Sequence, residues 1–469
     1  MTQRLSALDA SFLYMESPTT AMHVGSVARF TPPSAESTGG EPFDYDAFCG
    51  LVARRISLVP RYRQKLRWVP GHLANPVWVD DEDFDITYHV RRSALPKPGD
   101  DNQLRALVGR LQARPLDRAR PLWEIYLVEG LADGRFAIIT KTHHAMVDGI
   151  SAVDIGTVLL DATPTPEEPP EDHWVPTPEP SRAGLLLGAV TDTLRRPTVA
   201  LDTVRSSVGD AKVVAGRALG ALSGIASVAR TSLRSAPESP LNATIGEQRR
   251  FGMASTSLDD YKRIRKTHGG TVNDVVLATV AGALRAWLLT RGESVVPSTT
   301  VRAMVPVSVR TESQDGALGN RVSSYFVDLP VGEASPVVRL HQVSYAMKGH
   351  KESGSAVGAD ALVRLTGFAP PTIHSAAARL GAGLSRRLFN VIVTNVPGPQ
   401  FPLYAAGAQM DDCFPVVPLS KGQAVSIGLM SYNGGVYYGM NCDRDAMPDI
   451  DVLASCIEES LAELLGTAK

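Results

Sequence analysis

Apolar positions along the chain fall into two separate sets of strands and helices. Apolar runs from Trp123 to Val128 and from Phe136 to Thr142 flank Ala132-Asp133-Gly134-Arg135, a spacing that predicts a β-hairpin. Met22 to Phe30 alternates loosely and predicts a strand. Phe48, Leu51, Val52 and Ile56 recur at helical spacing after Asp44, which would cap the helix, with Arg54 and Arg55 turned outward. Leu104, Leu107, Val108 and Leu111 form a second stripe behind a cap at Asp101, and Pro115 stops that helix. Ile150 to Leu160 suits a short helix packed on a sheet. Farther along, Leu258 to Lys266 and Val272 to Leu289 read as helices, the second opened by a capping-box pair, Thr271 and Asp274. Thr300 to Val309, Arg321 to Leu329 and Phe389 to Thr394 read as strands. A hairpin is predicted for Ala424 to Ser431 and Gly435 to Met440 around an Asn-Gly turn, and a final helix for Pro448 to Leu465.

Between these sets the pattern breaks. Residues 163–180 contain seven prolines and several acids, an extended linker. Residues 181–235 then carry apolar residues every three or four positions with eight basic side chains against three acidic ones. A basic amphipathic helix of that kind serves as a packed connection between lobes, with contact to an anionic lipid surface as a second role. The expected organisation is a first lobe over 1–162, a linker and helical connection over 163–245, and a second lobe over 246–469. At 469 residues the chain exceeds the usual single-core size, which agrees with two lobes.

Composition narrows the function. A net charge of -2 without a massed basic run gives no support for a nucleic-acid partner. Four scattered cysteines, Cys49, Cys413, Cys442 and Cys456, lack the pairing of a zinc site or a disulfide framework, and fit a reducing cytoplasm. The strongly apolar patches fall short of the ~20 residues needed to cross a bilayer. The acids of Trp78-Val79-Asp80-Asp81-Glu82-Asp83 do not have calcium-loop spacing and read as a solvated turn.

The stretch hardest to explain as packing is Lys141-Thr142-His143-His144-Ala145-Met146-Val147-Asp148-Gly149, at a strand-to-helix turn where Gly149 supplies backbone freedom. A histidine held in a cleft takes a proton from a hydroxyl and returns it to a leaving group. Adjacent histidines leaving a strand diverge, and no third ligand lies nearby, so a metal site is not expected. His23 reads as structural, since nothing near it in sequence completes a catalytic set.

His-His-x-x-x-Asp-Gly resembles the signature of the CoA-dependent acyltransferase superfamily. More narrowly the chain resembles the bacterial wax ester synthase/diacylglycerol acyltransferase family, especially its mycobacterial-type triacylglycerol synthases. The resemblance is carried by Leu5-Ser6-Ala7-Leu8-Asp9-Ala10-Ser11-Phe12-Leu13, Met22-His23-Val24-Gly25, Arg120-Pro121-Leu122-Trp123-Glu124 and the histidine motif. In the second half it is carried by Val272-Asn273-Asp274-Val275, Val305-Pro306-Val307-Ser308-Val309-Arg310 and Thr394-Asn395-Val396-Pro397-Gly398-Pro399.

The resemblance implies an α+β, two-lobed, chloramphenicol acetyltransferase-like fold, with mixed sheets flanked by helices and an active-site tunnel between the lobes, entered by the two substrates from opposite ends. It implies acyl transfer from acyl-CoA to diacylglycerol without a covalent acyl-enzyme and without a cofactor. His144 would be the base, His143 its support, and Asp148 a residue that holds the loop by pairing with an arginine. Asn273 and Ser308 would be the substrate-positioning residues and weak candidates for the oxyanion donor. The aspartate-phenylalanine-glycine-tryptophan-glycine stretch of some superfamily branches is absent, which fits the lipid-storage branch. Two alternatives stand beside this reading: wax ester synthesis on a long-chain alcohol, and an inactive protein that binds lipid surfaces. The implied location is cytoplasmic, peripheral on the inner membrane or on lipid inclusions.

Overall fold

The computed structural model describes residues 3–33, 43–147, 155–169, 171–195, 235–308, 322–352, 357–358 and 385–468. Their strands form two large mixed sheets and a small one. The first large sheet runs Tyr404–Ala405, Ala408–Val416, His23–Thr31, Phe136–His143, Trp123–Glu129, Val90–Ala94 in spatial order. The second runs Val357–Gly358, Val322–Leu329, Val301–Ser308, Val391–Pro397, Val425–Tyr432, Gly435–Asp443, Arg249–Ser257. Val90–Ala94 lies parallel to its neighbour, as does Val391–Pro397 to both of its neighbours; the other pairings are antiparallel. Helices flank these sheets, so the architecture is α+β as expected.

The two sheets share chain. Ala408–Val416 belongs to the 246–469 segment, yet it pairs with His23–Thr31 in the first sheet. Arg29 and Asp412 clamp that pairing, with guanidinium Nε 2.9 Å and Nη2 2.6 Å from the carboxylate. Pro415 and the adjacent acids Asp411 and Asp412 interrupt the alternation that would have marked this strand in the sequence. The helix Asp101–Ala113 in turn packs on Arg249–Ser257 of the second sheet. That contact needs Gly109, where a Cβ would lie 2.6 Å from the Arg249 carbonyl oxygen.

Most predicted elements form within a residue or two of their expected limits. The capping box of Thr271 and Asp274 opens the helix Val272–Thr290. This helix is long and apolar enough to cross a membrane by composition, but it is the buried core helix of the second lobe. Other expectations are corrected. Asp100, not Asp101, caps its helix, through a capping box with Gln103. Val391–Pro397 remains a strand where a turn was expected from Asn395. Arg55 does not point outward: it is 3% exposed and pairs with Asp161 at 2.6 Å. The acidic run is not a solvated turn throughout, because Val77–Asp80 is a strand and buried Asp81 accepts from Lys65 Nζ at 2.6 Å.

The proline-rich linker lies along the first lobe, tied down by pairs between its acids and a row of arginines. Glu168 meets Arg54, Asp172 meets Arg63, and Glu179 meets Arg67. Beyond it, the helix Arg182–Arg195 seats Leu185 against Val77 and Val79. Most of the basic amphipathic stretch, residues 196–234, lies outside the described residues.

Candidate active site

The histidine strand Phe136–His143 is buried along its length and lies between His23–Thr31 and Trp123–Glu129. Its last residue, His143, is followed by a single 3-10 turn, His144–Met146. The turn is anchored by three features. Ala145 and Met146 are buried in the first-lobe core. The His144 N–H donates to the Met22 carbonyl at 2.8 Å. The Ala145 N–H donates to His143 Nδ1 at 3.0 Å, so the first histidine caps the turn that presents the second.

His144 stacks on Phe12 of the helix Ala7–Met15, with ring centroids 3.9 Å apart and an interplanar angle of 19°. Such a face contact is worth ~1 kcal/mol and fixes ring orientation. Its Nδ1 is enclosed and has no partner among the described residues. Burial, with a smaller contribution from neighbouring His143, lowers its pKa to about 4. The imidazole is therefore neutral at pH 7, the form that can take a proton from a hydroxyl.

His143 has a different environment. It is 1% exposed, and its Nε2 lies 3.6 Å from Glu16 Oε2. Directly opposite it across the sheet is His23, whose Nε2 is 3.4 Å from Glu16 Oε1. Burial also lowers the His23 pKa to about 4. Glu16 receives the Met22 N–H at 3.2 Å and two guanidinium N–H groups of Arg118. Burial alone would raise its carboxyl, but contacts with His143, His23 and Arg118 hold it well below the usual carboxylate range. Sequence reasoning missed Glu16 and treated His23 as isolated. The missing signal was strand register: once His23 is paired with His143, the residue just after the first helix faces both rings.

The second-lobe motifs also meet. Asn395 Nδ2 donates to Asn273 Oδ1 at 3.2 Å, joining the end of one strand to the first turn of the core helix. Asp274 is committed to capping and accepts from Ser344 Oγ at 3.2 Å, which leaves Asn273 as the member of that pair available for other work. Ser308 ends its strand, and its side chain lies outside the described residues, as do Asp148 and Gly149. A cavity of about 310 Å³ between Arg249–Ser257 and the last helix, lined by Ser255, Asp260, Glu458 and Leu465, contains none of the candidate residues.

Two mixed sheets built from interleaved stretches of chain, with a neutral histidine presented on a turn at the end of a central strand, form a scaffold that can hold a base beside a reacting hydroxyl. Comparison with known proteins is specific. Residues 5–276 match the wax ester synthase/diacylglycerol acyltransferase catalytic domain, and residues 318–465 match the C-terminal domain of the same family. A probable diacylglycerol O-acyltransferase of Mycobacterium tuberculosis, tgs3, is 48% identical over 266 residues, 56% of this chain and 96% of that protein. Another from the same organism, tgs2, is 35% identical over 467 residues, 97% of each chain. The wax ester synthase/diacylglycerol acyltransferase from Marinobacter aquaeolei VT8 superposes with a TM-score of 0.68 at 28% identity, covering 99% of this chain and all of that one. A starter condensation domain of rhizomide synthetase, solved with C8-CoA and Leu-SNAC, shares the fold at 13% identity and a TM-score of 0.56, over all of this chain and 94% of that one. The chain belongs to the wax ester synthase/diacylglycerol acyltransferase family and is an acyltransferase.

Proposed function

We propose that the protein transfers the acyl group of a long-chain acyl-CoA to the free hydroxyl of diacylglycerol, giving triacylglycerol and CoA. The observation that carries this reading is the neutral, stacked His144 on a fixed turn, in a chain whose full-length relatives are named for this activity. His144 draws the proton from the hydroxyl as its oxygen attacks the thioester carbonyl. The tetrahedral intermediate then expels the thiolate, which recovers the proton from the imidazolium. No covalent enzyme intermediate is needed, because the thioester is already activated and both substrates are held together. Burial makes the imidazolium short-lived, which favours prompt return of the proton. The chemistry calls for no cofactor beyond the acyl-CoA substrate. Asn273 and Asn395 form a polar pair suited to orienting a substrate.

Both substrates carry long acyl chains, and the proposal places the protein in the cytoplasm, at the inner membrane surface or on lipid inclusions. Leu187 of the helix Arg182–Arg195 and Leu73, which follows the turn Pro70–His72 that this helix contacts, are 66% and 67% exposed, which suits contact with such a surface. The deciding assay offers the purified protein radiolabelled palmitoyl-CoA with diacylglycerol and hexadecanol side by side. Labelled triacylglycerol is the expected main product; preference for hexadecanol would transfer the reading to wax ester synthesis, and no product with either would leave a lipid-binding protein.

A further inference from the structure

We propose that Glu16 is a positioning residue for acyl transfer, holding His143 in the tautomer that caps the turn bearing His144. This rests on the reading of His144 as the base.

A neutral imidazole carries one N–H and one lone pair, and the partner of one nitrogen decides the state of the other. His143 Nδ1 accepts the Ala145 N–H, so its lone pair is there and its proton is on Nε2. Nε2 faces the Glu16 carboxylate at 3.6 Å. A carboxylate in that place favours a proton on Nε2. With the other tautomer, a lone pair would face the carboxylate and two N–H groups would confront each other at Ala145, inside a region that is almost fully buried.

Glu16 is itself fixed. Arg118 donates to Oε2 and the Met22 N–H to Oε1. The other face of the Met22 peptide segment takes up the His144 N–H through its carbonyl. The short stretch from Phe12 to Glu16 thus grips both histidines: Phe12 stacks on the base and Glu16 orders its neighbour. His23 also faces the carboxylate, but its Nε2 receives the Leu116 N–H at 3.4 Å, so it is not a committed donor to Glu16.

A double-mutant cycle with the full chain tests this. Asn in place of His143 offers Oδ1 near the Nδ1 position and has no tautomer to select. Glu16→Gln alone should lower kcat by about tenfold, the order seen for lost outer partners of functional histidines, with KM for palmitoyl-CoA unchanged. In the His143→Asn background the same change should alter kcat less than about twofold. Equal losses in both backgrounds, or no loss in either, would overturn the proposal. Should Glu16→Gln fail to fold, ¹⁵N-histidine NMR of the unaltered protein decides, with the His143 signal identified by its loss in His143→Asn. A proton on Nε2 is expected, and a proton on Nδ1 refutes the assignment. His144→Ala in the same assay separates the two readings, since a fully active His144→Ala enzyme removes the base while leaving the His143 tautomer measurable.

Discussion

The end of the first sheet and the end of the second carry different kinds of polar group. In the first, two adjacent histidines have unlike surroundings: His143 is closed in and faces the Glu16 carboxylate, whereas His144 is stacked on Phe12 with a depressed pKa. In the second, Asn273 and Asn395 are half-buried amides that bond each other and change no charge near neutral pH. The proposed mechanism accordingly assigns proton transfer to the first lobe and orientation of the substrate to the second. Within the first lobe it divides the labour again, with His143 capping the turn and His144 acting from it.

His143→Ala should give the largest loss short of removing the base. It deletes the cap on Ala145 and leaves Glu16 facing a void, and kcat should fall by about a hundredfold. His143→Asn should recover much of that loss if capping is the role of His143. Steady-state kinetics on both variants would show it, and equal losses would break the distinction between the two histidines.

The second lobe is probed by Asn273→Ala and Asn395→Ala. Either should lower kcat/KM by about tenfold, consistent with one lost hydrogen bond, with the pH profile unmoved. A moved profile would place proton transfer in the second lobe and undo the comparison. Phe12→Leu should cost a few-fold in kcat and raise the acid limb of the profile, because opening the stack hydrates the imidazolium. In the unaltered protein that limb should lie near pH 4 rather than 6.5.

The same titration bears on stability. His144 and His23 are held neutral in the fold, with pKa values lowered to about 4, whereas both take up protons near pH 6.5 when unfolded. Their contribution is fully present above about pH 6.5 and is lost as pH falls toward 4. Thermal unfolding between those values should show a falling Tm, less steep in His23→Gln. The smallest effect is expected from Thr271→Ala, which removes a helix cap and costs about 1 kcal/mol of stability with kcat unchanged.

Local rules made much of the fold legible. The hairpin around Ala132–Gly134, the cap at Asp44, the capping box at Thr271 and the Asn433–Gly434 turn all declare themselves within a few residues. Long-range pairing did not. Asp161 buries Arg55, Lys65 buries Asp81, and Asp412 draws Ala408–Val416 into the first sheet, each across a separation that periodicity does not record. The site divides in the same way. His143 and His144 are conspicuous as neighbours, but Glu16 reaches them only through the register that sets His23 opposite His143. Asp148 and Gly149, which complete the His-His-x-x-x-Asp-Gly motif, lie outside the described residues, so the pairing of Asp148 with an arginine rests on the family resemblance.

The most direct test of the division between the sheets is acyl transfer from radiolabelled palmitoyl-CoA to diacylglycerol by purified His144→Ala beside the unaltered protein, with both shown to be folded by circular dichroism. Loss of a general base predicts a fall in kcat of at least about a hundredfold, with KM for palmitoyl-CoA little changed. Retention of the unaltered rate would contradict the assignment of proton transfer to His144.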